Sequence, residues 1–183
     1  MQYYETVSLK DGRQCVIRNG NEADGQAVLD IFVLTHEQTD FLRTYPDEIR
    51  FTVEDEAAFL KEKTESENEI ELIAELDGKI VGTAGISALG TCSKLRHRAE
   101  FGVSVDRAFW GLGLGRALLK ACIACAERAG YRQLELDVIA ENERAIALYQ
   151  SEGFREFGRN PRGFRSRSNA WQELVFMRLE LND

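Results

Sequence analysis

Apolar positions recur along the chain with the period of a strand or of a helix, and that period predicts each element. In the first half, a short strand precedes two helices. The second helix starts with a capping pattern, Thr52 followed three residues later by Asp55. Two apolar runs then flank Asp77-Gly78, a strong signal for a two-residue hairpin turn. The predicted elements are strand 14–18, helix 22–37, a helix from 52, and strands 70–76 and 79–86.

In the second half, strands alternate with helices. Leucine and valine alternate with acidic residues along 133–138, which predicts a half-buried strand. Gly153 stands where a helix end favours a left-handed residue. The predicted elements are strands 100–105, 133–138, 154–159 and 171–181, and helices 111–129 and 142–152. The order predicts one α/β (α+β) domain over 1–183, with a core from about 14 to 181 and a mixed, mostly antiparallel sheet covered by helices on both faces.

The charge balance excludes some classes of partner. The 183 residues include 23 Lys and Arg against 31 Asp and Glu, a net charge of −8. Binding to a phosphate backbone needs clustered positive charge, so we expect no nucleic-acid partner. No apolar run approaches the roughly 20 residues of a membrane span, and the N-terminal stretch lacks the apolar segment of a signal peptide. We therefore expect a cytoplasmic protein with no membrane partner.

Two of the four cysteines form a C-x-x-C pair, Cys122 and Cys125. A redox pair would stand at a helix N-terminus, where thiol pKa values are lowered. Here the pair lies in the middle of a predicted helix among alanines. A zinc site needs about four ligands, and the two histidines, His36 and His97, are not at ligand spacing. The pattern predicts buried structural thiols and no metal.

A glycine-rich turn follows the strand that ends at Val105. Gly111, Gly113 and Gly115 open a helix, where free N–H groups and the helix dipole favour an anion. The spacing differs from the G-x-G-x-x-G of dinucleotide-binding folds, and the G-K-[ST] of a P-loop is absent. The turn alone is also compatible with a helix start whose glycines serve packing.

A second segment, at 142–154, favours a ligand-binding role for the glycine-rich turn over a packing role. Asn142 is a suitable N-cap, and Tyr149 lies two helical turns further on the same face. Together, W-G-L-G-L-G at 110–115 and N-x-x-A-x-x-L-Y-x-x-x-G-F at 142–154 resemble the motifs of the GNAT superfamily of acetyl-CoA-dependent N-acetyltransferases. Trp110 stands where that family has Gln or Arg. The order of elements matches the family from about residue 15 to residue 181.

The resemblance implies how acetyl-CoA would bind. The strand that ends at Val105 would splay from strand 133–138, and the coenzyme would lie in the gap, with its pantetheine arm paired to the strand as an added strand would be. Asn142 would contact it near the pantetheine. The N–H groups of the glycine-rich turn would bind the pyrophosphate. The implied coenzyme-binding residues are Val103, Ser104, Val105, Gly111, Leu112, Gly113, Leu114, Gly115, Arg116 and Asn142.

The resemblance also implies direct acetyl transfer to a primary amine of a small molecule, an amino acid or a protein N-terminus. Tyr149 is the candidate acid for the thiolate leaving group. Asp137 and Glu100 are alternative bases, and either is equally compatible with an exposed strand carboxylate. Glu37 is a candidate for the acceptor pocket. A fold that binds acetyl-CoA without catalysis is the alternative function, and the resemblance leaves a homodimer open.

Overall fold

An eight-stranded sheet organises the chain in the computed structural model, which describes residues 1–181. Its order is β1-β2-β3-β4-β5-β6-β8-β7, and every neighbouring pair is antiparallel except β5 and β6. The strands are β1 Tyr4–Ser8, β2 Gln14–Asn19, β3 Ile70–Leu76, β4 Lys79–Ala88, β5 Arg98–Val105, β6 Gln133–Ile139, β7 Arg155–Arg165 and β8 Trp171–Glu180. The helices are α1 Gly25–Gln38, α2 Val53–Glu65, α3 Leu114–Arg128 and α4 Glu143–Ser151.

Helices cover both faces of the sheet, as the sequence predicts. On one face, Val28 of α1 and Leu60 of α2 pack with Ile73 of β3 in a small cluster. On the other face, α3 and α4 contribute to the main core, which contains Leu118 and Tyr149. Strand residues alternate between the two faces, because successive side chains in a strand point to opposite sides. Within residues 1–181, no helix combines the length and apolarity that crossing a membrane requires.

The central strands β5 and β6 separate partway along their length. Their parallel pairing runs only from Arg98 opposite Gln133 to Glu100 opposite Glu135. Beyond that point β6 pairs with β8 as far as Ile139, while β5 keeps β4 on its other side. The edge of β5 that faces β6 therefore opens onto a gap. The predicted splay of this strand pair is confirmed.

Two local signals from the sequence have the expected geometry. The Thr52 side chain accepts the N–H of Asp55, whose carboxylate accepts the N–H of Thr52 in return. Asp77 and Gly78 have φ values of 50° and 75°, so both central residues of the hairpin turn are left-handed. That turn matches the right-handed twist of the strands it joins.

Among the boundaries that differ from the prediction, three have a direct physical cause. The sheet begins before residue 14, with β1, because this exposed, largely polar strand is held by pairing to β2 rather than by an apolar pattern. Helix α3 begins at Leu114 rather than Gly111, since Gly111 and Gly113 have φ values of 84° and 93° that no right-handed helix permits. Strand β7 continues past Pro161, which an edge strand with an irregular register tolerates.

The C-x-x-C pair lies inside α3. Cys122 and Cys125 are fully buried free thiols, as predicted. Burial raises the pKa of both thiols, most strongly that of Cys122. Neither cysteine has the lowered pKa that a reactive thiol needs.

Candidate active site

A cleft of about 980 Å³ runs along the gap between β5 and β6. It is bounded by α1 and α2 at one end, and by the glycine-rich turn and the start of α4 at the other. Most of the residues nominated from the sequence line it: Glu100, Val103, Ser104, Val105, Gly111, Gly113, Leu114, Gly115, Arg116, Asp137, Asn142 and Tyr149. The fold therefore brings together residues that are separated by up to about 50 positions in the chain.

Two nominated residues do not line the cleft. Leu112 is half-buried and packs against the core, and its carbonyl accepts the N–H of Lys10 at 3.0 Å. Glu37 is exposed on α1, whereas His36 and Thr39 on either side of it line the cleft. Because successive helix residues turn by about 100°, a residue next to a lining position can face away.

The glycine-rich turn presents backbone donors to the cleft. Gly113 is the N-cap of α3, and a Cβ at Gly111 would meet nothing within 4 Å. Within residues 1–181, no acceptor is found for the N–H groups of 111–116. Free N–H groups at a helix N-terminus together with the helix dipole suit an anion. The turn therefore fits a pyrophosphate.

Basic side chains reinforce this end of the cleft. Lys10, Arg116 and Arg144 all line it. The Trp110 indole N–H donates to the carbonyl of Val105 at 2.7 Å, and the Arg144 guanidinium lies 4.9 Å from the indole ring centroid. Trp110 thus ties the turn to the end of β5 and holds a cation beside it. The sequence pattern did not single out Lys10 or Arg144.

Between the two ends, the cleft is lined by β5 and by the start of α4. Val103, Ser104 and Val105 all lie on the part of β5 that β6 no longer covers. Asn142 caps α4, as its sequence position predicts, because its side-chain oxygen accepts the N–H of Ala145 at 3.3 Å. This strand edge is therefore open to an extended ligand.

Tyr149 reaches the gap from the α3 and α4 side of the sheet. Its ring is 8% exposed and lies 6.1 Å from the ring of Phe101 and 5.9 Å from that of Phe154. Burial, and then the negative charge of Asp137, raise the pKa of the Tyr149 phenol above its ordinary value. The phenol therefore keeps its proton at neutral pH, as a general acid must.

Asp137 and Glu100 reach the gap from the opposite face, where one guanidinium contacts both. Arg43 Nη2 lies 3.1 Å from Asp137 Oδ1 and 3.6 Å from Glu100 Oε1. The Asp137 side chain is 20% exposed and that of Glu100 47%. Arg43 lies in the irregular segment between α1 and α2, where no periodic pattern indicates which side chains face the cleft.

The far end of the cleft is acidic and aromatic. Glu56 of α2 and Glu71 of β3 line it, together with Phe32, Phe51 and Phe59. Burial, with a contribution from the charge of Glu56, raises the pKa of Glu71 to about 8. Burial also raises the pKa of Glu56. The sequence alone does not indicate either carboxyl as part of the site, because Glu in helices and strands is usually exposed.

Three comparisons place this cleft among known proteins. A family model described as "Acetyltransferase (GNAT) family" matches residues 31–154. The N-alpha-acetyltransferase RimI of Mycobacterium tuberculosis is 38% identical over 109 residues, which make up 60% of this chain and 66% of that protein. The chain spans about two thirds or less of the length of the curated relatives it matches.

Two solved structures share the fold over most of their length. A GNAT-family acetyltransferase from Streptococcus pneumoniae superposes with a TM-score of 0.88 at 30% identity, covering 91% of this chain and 99% of that one. The protein yncA of Salmonella typhimurium, solved with its cofactor acetyl-CoA, gives a TM-score of 0.82 at 25% identity, covering 92% of this chain and 95% of that one. The similarity therefore covers about nine-tenths of this chain.

Proposed function

The chain belongs to the acetyltransferase (GNAT) family, and from this premise we propose that it transfers the acetyl group of acetyl-CoA directly to a primary amine. The acceptor is a small molecule, an amino acid or a protein N-terminus. One observation carries the proposal: Gly111 and residues 113–116, whose N–H groups are free, line the same cleft as Tyr149, on either side of the exposed edge of β5.

The chain's own groups match the parts of acetyl-CoA in order along the cleft. The turn at 111–116, with Lys10 and Arg144 beside it, binds the pyrophosphate. The backbone of Val103 and Val105 pairs with the amide groups of the pantetheine arm in the way an added strand would. Asn142, which caps α4, lies beside this edge. The thioester then comes to the gap next to Tyr149.

Acetyl transfer to an amine makes three demands on the protein. The amine must lose a proton before it attacks, and Asp137 or Glu100 accepts it on the α1 and α2 face. The carbonyl oxygen gains negative charge, which a backbone N–H of 103–105 stabilises. The thiolate must gain a proton, and the Tyr149 hydroxyl donates it. The amine nitrogen gains the acetyl group as the carbon–sulfur bond breaks.

The acidic far end of the cleft supports a cationic acceptor. The relatives support amine acceptors of two kinds, since their names include an N-alpha-acetyltransferase and the L-amino acid N-acyltransferase MnaT of Escherichia coli. These names describe the relatives. For this chain they indicate which classes of amine acceptor an assay has to include.

An amine panel tests the proposal. Purified protein with acetyl-CoA is assayed for free thiol against small amines, free amino acids and peptides with a free N-terminus. We expect amine-dependent thiol release with at least one class. Binding of acetyl-CoA by calorimetry without amine-dependent release from any class would instead identify a non-catalytic binder, while absence of binding would remove the coenzyme assignment as well.

A further inference from the structure

The acceptor end of the cleft contains a pair of carboxyls that the acetyl-transfer chemistry does not use. Glu71 lies on β3 and Glu56 on α2, and both line the cleft. Within residues 1–181 neither carboxyl has an ion pair, and Glu56 has no side-chain hydrogen bond, whereas the Glu71 carboxyl accepts one from the Thr83 hydroxyl. The other acidic residues here are engaged: Asp137 and Glu100 contact Arg43, and Asp55 caps α2.

Glu56 is aimed into the cleft although its side chain is almost wholly covered. It is 8% exposed and stands one helical turn before the buried Leu60, so it faces the sheet. Within the described chain, no side-chain nitrogen or oxygen that is shut off from solvent lacks a hydrogen bond. The unbonded carboxylate oxygens of Glu56 therefore open onto the cleft. A covered carboxylate without a partner is costly unless a ligand supplies the missing charge.

Two glycines place the Glu71 carboxyl above the floor of the cleft. Glu71 pairs with Gly85 on β4, and Gly85 pairs with Gly102 on β5. A methyl group at Gly85 would overlap Glu71 Oε2, so the carboxyl lies over β4. A Cβ at Gly102 would meet nothing within 4 Å. The two bare positions leave an open path from Glu71 to the gap.

This position is too far from the gap for Glu71 to contact the reacting nitrogen. Neighbouring strands are about 4.8 Å apart, and the gap lies beyond β5. The Glu71 carboxyl over β4 is therefore roughly 5–10 Å from the gap, whereas a hydrogen bond needs about 3 Å. A chain of about four or five carbons between two nitrogens spans that interval.

The other groups around the pair leave its negative charge uncompensated. Lys63 on α2 attracts Glu71, but its Nζ is already bonded to Glu69 Oε2 at 2.6 Å and Ser87 Oγ at 2.9 Å. His36 on α1 donates its Nδ1–H to the carbonyl of Phe32 at 2.7 Å, and burial lowers the pKa of its imidazole, so it is neutral. Three aromatic walls, Phe32, Phe51 and Phe59, add faces that attract a cation.

We propose that Glu56 and Glu71 form a cation subsite for a second, non-reacting nitrogen of the acceptor, so that acceptors with two cationic nitrogens are preferred over monoamines of the same length. The proposal rests on the acetyl-transfer function and names its substrate class. The ammonium binds between the two carboxyls while the other amine reaches the gap. When the ammonium binds, the Glu71 carboxyl releases its proton to the solvent. No further reactant is needed for this step.

Matched acceptors and variants test the subsite. We expect kcat/KM for 1,5-diaminopentane to exceed that for pentylamine by about tenfold or more, the range of one charge-assisted contact. In Glu71→Gln and in Glu56→Gln that ratio falls towards one, mainly through the KM of the diamine. Glu54→Gln, an exposed position on α2, keeps the wild-type ratio.

A binding measurement separates this proposal from the proposed function. With coenzyme A present, which has no acetyl group to transfer, calorimetry compares the two amines on wild type and on each variant. Tighter binding of the diamine to wild type, lost in the variants, supports the subsite even if no amine is acetylated. An equal affinity for both amines in wild type, or a diamine preference that survives both substitutions, overturns it.

Discussion

Arg43 Nη2 lies 3.1 Å from Asp137 Oδ1. The guanidinium of Arg43, in the segment between α1 and α2, therefore forms an ion pair with the carboxylate that points into the gap. Glu100 Oε1 is 3.6 Å from the same nitrogen. The Arg43 side chain is 65% exposed, so this contact is weak and exchangeable. A cationic amine that approaches either carboxylate competes with Arg43 for it.

Replacing Arg43 should therefore improve acceptor binding. In Arg43→Gln, we expect the KM for the amine to fall about two- to fivefold, the range of a surface ion pair. Arg50→Gln, an exposed arginine of the same segment, is the matched control and should leave KM unchanged. Steady-state kinetics with the best acceptor decides the matter. A higher KM in Arg43→Gln would show that Arg43 holds the pocket in shape rather than competing with the amine.

A charge at Gly113 should abolish coenzyme binding. Gly113→Glu puts a carboxylate beside the N–H groups of the turn, where it occupies the pyrophosphate's space and repels the phosphates. We expect the affinity for acetyl-CoA to fall more than about 100-fold by calorimetry. The backbone at Gly113 is left-handed with φ of 93°, so the substitution also adds strain.

Gly130→Glu controls for that strain. Gly130 has φ of 79° and open space around its Cβ, and it lies at the far end of α3. It should keep wild-type affinity. Equal affinities in both variants and wild type would exclude the turn as the pyrophosphate site.

Removing the Tyr149 hydroxyl should slow catalysis without weakening coenzyme binding. Tyr149→Phe keeps the ring contacts with Phe101 and Phe154, so packing is preserved. We expect kcat to fall about 100-fold, the low end for a general acid, because a thiolate is a fairly good leaving group. Tyr131→Phe, a buried tyrosine outside the cleft whose hydroxyl bonds Asn68, should leave kcat unchanged. Full kcat in Tyr149→Phe would mean that water supplies the proton.

The half-buried Glu71 carboxyl should make the fold less stable as the pH rises. Its pKa is about 8 in the folded chain, against the ordinary value of 4.5 when unfolded. Between these pH values the folded chain binds more protons, so the free energy of unfolding declines as pH increases. Neutral Gln has no such penalty. The difference in Tm between Glu71→Gln and wild type is measured by thermal unfolding at pH 5 and at pH 8.5. We expect this difference to shift in favour of the variant by more than about 3 °C between the two pH values. A constant difference would place Glu71 in an ordinary, solvated environment.

The elements that the sequence predicts well are those that local chemistry determines. The capping box at Thr52, the turn at Asp77-Gly78 and the glycines before α3 depend on nearby backbone groups, so their residues alone indicate their structure. Most of the candidate residues that the two motifs and the resemblance indicate also line the cleft. Strand β1 was not predictable in this way, since its order comes from pairing with β2.

The parts of the site that were missed depend on contacts between distant segments. Arg43 reaches Asp137 across 94 positions, and Arg144 is held beside the turn by Trp110. Glu71 is half-buried because α2 covers β3 and Gly85 has no side chain to exclude it. A single sequence shows none of these distances. For the same reason, Glu37 was nominated although its side of α1 faces away from the cleft.

Direct acetyl transfer is tested most sharply in a single turnover. Protein loaded with acetyl-CoA is mixed with the best amine, and samples are quenched at successive times. Mass spectrometry then measures the acetylated amine, the free coenzyme A and any acetylated protein. We expect acetylated amine and free coenzyme A to appear together at one rate, with no acetyl group on the protein, and Tyr149→Phe to slow both equally. Release of coenzyme A at a rate independent of the amine, or an acetylated protein that forms before the product, would contradict direct transfer.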